Sequence, residues 1–427
     1  MFMQKVMQQI RVNETAQYKK YFEQGQAMTD NELYDCLKDV KATIFSDKYS
    51  NLSNLATCGC SYYKNNGTLS GCSMCNLHSE SIEQTAYMTC LRLKNQALYS
   101  KVVLRSFINA RGIMANRTIH EFLYAYSFFD EMEIPDECLE KLLGREGIFK
   151  KKPFILEIET LAKHVNEHKI NRLKEYLPRT KIWVRFGVEC SNQILRNNWL
   201  NKSISDNDIR FAIEICHKND VSVTANILFG IPGYAERFSI EEFVQTVSWL
   251  RDLQVDRCSC SILGRKENTL QGYLYNNLRN NPELMSLGIA DGNHTGLPWI
   301  FSFLHALSLC ETTMPDMMPR IVFGQFEPDY IQGVHTTAYN AIPQCKCVEN
   351  FTKMTRSSKY EKIGQYYDMY TKSRFDPCYS SYEKMLNKQS SIQDPIHNMD
   401  AISIAISKTL WTDWMSYYNE YYTEIHG

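Results

Sequence analysis

The sequence lacks a dominant charge. Its 47 Lys and Arg nearly cancel its 48 Asp and Glu over 427 residues, so no strong global field draws nucleic acid or an anionic membrane to it. It also lacks long apolar runs. The two most apolar stretches, "VTANILFGIPG" and "LPWIFSFLHALSL", are too short and too interrupted to span a bilayer. The opening "MFMQKVMQQIRVNETAQ" has no apolar stretch after its charges, which excludes a secretory signal there. No internal repeat or low-complexity tract stands out. A cytoplasmic, reducing location and no membrane partner are therefore expected.

What is present is a normal globular balance, 44% hydrophobic and 22% charged, with enough chain for a sizeable core. Cysteine is abundant at 15 residues, an odd number. In a reducing compartment isolated thiols such as Cys36, Cys90, Cys138 and Cys216 read as small buried hydrophobes. The clustered ones ask for another explanation.

Residues 1–50 read as a polar helical lead-in. From about Leu52 to residue 310, strand candidates alternate with helices: "EFLYAYSFF", "FILEIET", "KIWVRFGVEC", "VSVTANILFGIPG" and "DRCSCSIL", separated by helical patterns of ten to sixteen residues. Such alternation predicts βα units and a parallel sheet. About six units are visible, too few for a complete eight-unit barrel. Beyond residue 311 the pattern gives way to an aromatic, Lys-rich C-terminal region.

Four cysteines lie in "CGCSYYKNNGTLSGCSMCNLHS", as Cys58-x-Cys60 and Cys72-x-x-Cys75. Four thiolates could close a structural zinc site, and three could hold three irons of a [4Fe–4S] cluster with one iron open. By spacing alone zinc comes first. Context reverses the order: the loop follows the first strand, and parallel α/β proteins do their chemistry at the carboxyl ends of the strands, while a chain of this size needs no zinc to make a core.

The loop, then "SFFDEMEIP", "FGVECSNQILRNNWLNKSIS", "ILFGIPG" and "LPWIFSFLHAL", follow in an order that resembles radical SAM enzymes. The resemblance is to the branch of the elongator catalytic subunit and the archaeosine-forming radical SAM subunit. It covers roughly Leu52 to Leu307, including "GCSMC" for that branch's GC-x-MC. The gap of eleven residues between the cysteine pairs departs from the usual radical SAM spacing.

The resemblance implies a partial (β/α)6 radical SAM barrel with a helical lead-in and a C-terminal addition that could cover the site. It implies a [4Fe–4S] cluster on Cys60, Cys72 and Cys75, with Cys58 competing for the first place. S-adenosylmethionine (SAM) would be cleaved to a 5′-deoxyadenosyl radical that abstracts hydrogen from substrate. It further implies SAM contacts from Ser127, Phe128 and Phe129 through backbone, from Glu189, and from Asn226 at the ribose. Phe229 and Gly230 of "FGIPG" would lie near adenine, where glycine removes the Cβ obstacle.

Asp130 and Glu133 would add charge or hold the loop. Each reading has an ordinary structural alternative: a core Asn for Asn226, a strand-ending turn for "FGIPG", a solvated helix start for Asp130 and Glu133, and a surface lysine for Lys202. Cys258 and Cys260 read as a packed pair on one strand face, in or near the lumen. Cys345, Cys347, Cys378 and His335 make a weak accessory metal candidate. Trp411, Trp414, Tyr418 and Tyr421 read as a helical packing stripe. A small-molecule substrate is favoured, with a flavodoxin- or ferredoxin-type electron donor. A tRNA base and a non-catalytic zinc-stabilised binding protein are the alternatives.

Overall fold

A computed structural model describes residues 1–46, 50–65, 67–76, 81–111, 119–290, 298–323 and 360–427. The chain forms a curled, partial α/β barrel. Its main sheet has eight strands: β1 (Thr43–Ser46), β2 (Ser50–Asn54), β5 (His120–Tyr124), β6 (Ile155–Glu159), β7 (Lys181–Glu189), β8 (Ser222–Phe229), β9 (Arg257–Ile262) and β10 (Ile321–Phe323). They neighbour one another in that order. From β2 onward every pairing is parallel, and β1 joins β2 antiparallel. The expected run of six parallel strands is thus present as β2 and β5–β9, with β1 and β10 added at its edges. A small hairpin, β3 (Lys64–Asn65) and β4 (Thr68–Leu69), lies inside the cysteine loop.

Local chemistry explains the elements. On β7, Ile182, Val184, Phe186 and Val188 are buried and alternate with Trp183, Arg185, Gly187 and Glu189. This period of two sends one set to the helices and the other to the concave face. The crossover helix Asp206–Lys218 starts on a capping box between Ser205 and Asp208, and Glu167–Tyr176 starts on the Asn166 side chain. These satisfy N–H groups that the helix itself cannot.

Two cores result. One fills the space between the sheet and its crossover helices. The other sits at the carboxyl edge, where the N-terminal helix Phe2–Ile10, the loops after β7, β8 and β9, and the C-terminal helices Pro395–Leu410 and Trp414–His426 bury Met3, Met7, Trp199, Ile231, Leu274, Ile402 and Tyr421 together. Asn398 of Pro395–Leu410 accepts from Ala235 N (2.7 Å) and donates to Gly233 O (2.7 Å), tying that helix to the loop after β8. Among the described residues no helix is long and apolar enough to cross a membrane.

Candidate active site

The cysteine loop leaves β2 at the carboxyl edge, and its two halves are held by different neighbours. In the first half, Thr57 donates to Glu133 Oε1 (2.7 Å), which also accepts from Tyr126 N (2.8 Å), while Glu133 Oε2 accepts from Ser127 N (2.7 Å). Glu133 therefore clips the loop after β2 to the loop after β5. Burial pushes its carboxyl up to about 7 against these hydrogen bonds. Ser61 donates to Asp130 Oδ2 (2.6 Å), fixing the residue after Cys60. Asp130 and Glu133 hold the loop.

Cys58 turns inward. It is 1% exposed, its N–H donates to the Tyr99 hydroxyl (3.1 Å), and its thiol donates to Met132 O (3.2 Å). Cys60, Cys72 and Cys75 are all more exposed than Cys58.

The second half is clamped from two sides. Ser73 N donates to Leu200 O (2.9 Å), Ser73 Oγ to Trp199 O (3.0 Å), and Asn201 Nδ2 to Gly71 O (2.6 Å). From the lead-in, Gln8 donates to Thr68 Oγ1 (3.1 Å) and Thr15 Oγ1 accepts from Leu69 N (3.1 Å). The buried Arg11 guanidinium donates to the carbonyls of Cys72 and Cys75.

Cys60, Cys72 and Cys75 lie within one another's electrostatic reach. Burial pushes the Cys60 thiol up to about 12, with Cys72 adding to it. It pushes Cys72 up to about 11 against the nearby Lys202 charge. Among the described residues no three His, Cys, Asp or Glu gather as ligands of a single ion. A cluster asks for a different arrangement, because each thiolate binds its own iron. Three thiols on the mouth-facing loop, with cations beside Cys72, suit that donor set. A four-thiolate zinc site would need Cys58, whose thiol is committed to Met132.

Beneath the loop, Glu189 ends β7 with φ +67°, a left-handed conformation uncommon outside glycine. Its carboxylate accepts from Lys202 Nζ at 2.6 Å. Lys202 is buried, which corrects the surface-lysine reading. Burial opposes its charge, but Glu189 and Cys72 together hold it above its ordinary range. Gly187 leaves room for this pair: a Cβ there would displace Glu189 Oε1 and Lys202 Nζ, the ends of two flexible side chains.

Further into the concave face, Asn226 donates to Glu159 Oε1 (3.2 Å) and accepts from Arg185 (3.3 Å), so it belongs to a polar lumen network rather than to an apolar core. Burial pushes the Glu159 carboxyl up to about 7. Deeper still, Glu157 is buried, yet His120, Arg185 and Arg257 around it hold its carboxyl well below the usual range.

Ser127, Phe128 and Phe129 lie in a turn past β5, not on the strand as expected; Glu133's grip on Tyr126 and Ser127 N–H draws the chain into that turn. The Ser127 hydroxyl meets Thr160 Oγ1 (3.0 Å) and His164 Nδ1 (2.6 Å), and the Phe128 and Phe129 rings are buried in the core. Phe229 packs outward against Phe243 and Phe303. Gly230 has φ +87°, and a Cβ there would stand 2.6 Å from Pro298 Cγ.

Cys258 and Cys260 share one face, but it is the helix side, with the sheet–helix core that also holds Cys310. Alternation places Arg257 and Ser259 toward the lumen instead. Cys378 is buried in the same core, while Cys345, Cys347 and His335 lie outside the described residues. In the C-terminal stripe, Tyr421 packs against Phe2 and Trp199.

No family model matches the chain. It is 25% identical over 239 residues to an uncharacterised protein of Methanocaldococcus jannaschii, covering 55% of this chain and 61% of that one. It is 21% identical over 191 residues to archaeosine synthase subunit beta of Methanosarcina acetivorans, covering 45% and 50%. The chain thus spans only about half to three-fifths of these relatives' lengths. Similar solved structures include the radical S-adenosylmethionine methyltransferase TsrM of Kitasatospora setae (12% identical, 66% of this chain and 54% of that one, TM-score 0.39). Another is the radical SAM enzyme HemN, coproporphyrinogen III oxidase of Escherichia coli (14%, 42% and 37%, TM-score 0.30). Both of these solved structures are of radical SAM enzymes.

Sequence reasoning missed Arg11, Glu159 and His164. For Arg11 a faint signal exists: Arg11, Glu14 and Thr15 are polar at i, i+3 and i+4, one face of a helix. Nothing in the spacing says that this face meets the cysteine loop.

Proposed function

We propose that this chain is a radical SAM enzyme whose Cys60, Cys72 and Cys75 hold a [4Fe–4S] cluster. The observation that carries the reading is the division of the four thiols: Cys58 is spent in the core, and the other three are held at the carboxyl edge above Glu189 and Lys202. When bound, the cluster and SAM supply one electron and the 5′-deoxyadenosyl radical that takes hydrogen from substrate. The protein's own part is to bind and orient. Glu189 and Lys202 offer opposite charges to the ends of the zwitterionic methionine moiety, and Asn226 lines the same face. The backbone at Ser127 and Phe129 and the turn at Phe229 and Gly230 complete the proposed SAM site. The helices after residue 360 limit water at the mouth. A cytoplasmic setting and a flavodoxin- or ferredoxin-type donor go with this chemistry.

We take the substrate to be a small molecule, an amino-acid derivative or natural-product intermediate, since the near-neutral chain offers no general attraction for RNA. The likeness to archaeosine synthase subunit beta supports a second reading, a modified base in tRNA.

Anaerobic reconstitution with iron and sulfide, followed by dithionite and SAM, tests the class. Cys60→Ala, Cys72→Ala and Cys75→Ala should each lose cluster iron and 5′-deoxyadenosine formation, while Cys58→Ser retains the cluster. Full activity in Cys60→Ala would overturn the assignment. A colourless protein holding zinc would overturn the class. Tight tRNA binding that weakens steeply with salt, together with tRNA-dependent 5′-deoxyadenosine formation, would replace the small-molecule reading with the second.

A further inference from the structure

Arg11 lies between helix Phe2–Ile10 and helix Val12–Ala27, and its residue is 0% exposed. Its Nε donates to Asn268 O (3.0 Å) and its Nη2 to the carbonyls of Cys72 (3.1 Å) and Cys75. The guanidinium lies over the Tyr63 ring, 4.4 Å from its centroid. Its Nη1 is buried and finds no acceptor among the described residues, and Arg11 forms no ion pair among them. Glu14, one turn along, gives its oxygens to the Tyr63 hydroxyl (3.2 Å) and to Asn268 Nδ2 (2.8 Å).

A buried cation with no carboxylate bonded to it is costly unless something negative compensates it, and the buried Glu14, which shares Tyr63 and Asn268 with it, supplies part of that. Carbonyl oxygens and an aromatic face supply part of that compensation. A [4Fe–4S] cluster on three thiolates carries net negative charge, and one unit more when it gains an electron. Charge and hydrogen bonds around such a cluster set its potential.

We infer that Arg11 is a positioning residue for the cluster: it pins the carbonyls of the Cys72-x-x-Cys75 turn and sets a permanent positive charge that favours the reduced form. This rests on the reading of Cys60, Cys72 and Cys75 as cluster ligands. It gives the helical lead-in a direct part in the chemistry, since its polar face carries Gln8, Arg11 and Thr15 to the loop.

The test compares full-length, anaerobically reconstituted wild type, Arg11→Lys and Arg11→Gln. Iron and sulfide content is measured first, then a redox titration is followed by the visible absorbance and the electron paramagnetic resonance of the reduced cluster. Arg11→Lys, which keeps the charge, should titrate close to wild type. In Arg11→Gln the ratio of reduced to oxidised cluster should fall about tenfold at the poise that half-reduces wild type. That is the order expected for a unit charge near the cluster in a protein interior, or ~59 mV for one electron. An Arg11→Gln cluster that titrates with wild type overturns the inference. So do equal shifts in both variants, or loss of iron from both, which mark a purely structural role. Wild type without iron would fell the cluster reading itself and this inference with it, whereas an intact, unshifted cluster in Arg11→Gln removes only the role of Arg11.

Discussion

Replacing Glu133 by Gln tests whether one buried carboxyl governs the loop that carries Cys60. Glu133 is fully buried, accepts from Thr57, Tyr126 N and Ser127 N, and has its carboxyl raised by burial from 4.5 to about 7. The folded form therefore holds this proton where the unfolded chain has released it. Stability from this group is fully present below about 4.5, falls as pH rises, and is lost above about 7. The loss amounts to the order of 3 kcal/mol, since each pH unit between the two values is worth ~1.4 kcal/mol.

Gln cannot ionise, so it escapes that loss. It also turns an amide NH2 toward one of the three donors, which costs ~1–3 kcal/mol at every pH. Wild type should thus be the more stable at pH 5 and should lose its advantage, or reverse it, by pH 8.5. Thermal unfolding of the apoprotein, followed by circular dichroism across that range, reads the difference between the two proteins. Other raised carboxyls, Glu159 and Glu236 among them, cancel in that difference. Parallel pH profiles would refute the argument and show that Glu133 is ionised at little cost in the fold.

Two further outcomes follow from the floor of the site. Lys202→Met leaves the Glu189 carboxylate without its partner and should cost about 3 kcal/mol; the Lys202→Met/Glu189→Met double variant should recover much of it in urea unfolding. Equal losses in the two proteins would show that the pair is not coupled. Gly187→Ala puts a methyl group where Glu189 Oε1 and Lys202 Nζ now stand, so the pair must shift while the fold is little destabilised. SAM affinity should fall on the order of tenfold with far-ultraviolet circular dichroism unchanged, and unaltered affinity would remove the pair from the SAM site.

The repeating units of this fold were legible in the sequence because their periods are local. Alternation in "KIWVRFGVEC" made a strand, Ser205 with Asp208 started a helix, and "GCSMC" marked a thiol site at a strand end. Which face of a strand looks inward is also a local matter once one residue is placed, yet the sequence could not place that one. Cys258 and Cys260 consequently go to the helix side, while Arg257 and Ser259 go to the lumen.

Long-range partners decided the rest. Cys58 and Cys60 differ by two residues in an irregular loop, and only Tyr99, Met132 and Glu133, brought in from other elements, draw one thiol inward. Lys202 looked like a surface residue because its partner, thirteen positions earlier, sits at the end of β7, where a left-handed Glu189 and a side-chain-free Gly187 make room for the pair. The target of Arg11 stayed hidden for the same reason. Its acceptors lie about sixty residues away along the chain for the cysteine loop and far further for Asn268, and they converge only when the lead-in folds back over the carboxyl edge. Periodicity records what a residue's neighbours in sequence require, whereas a buried charge is fixed by whichever remote group compensates it.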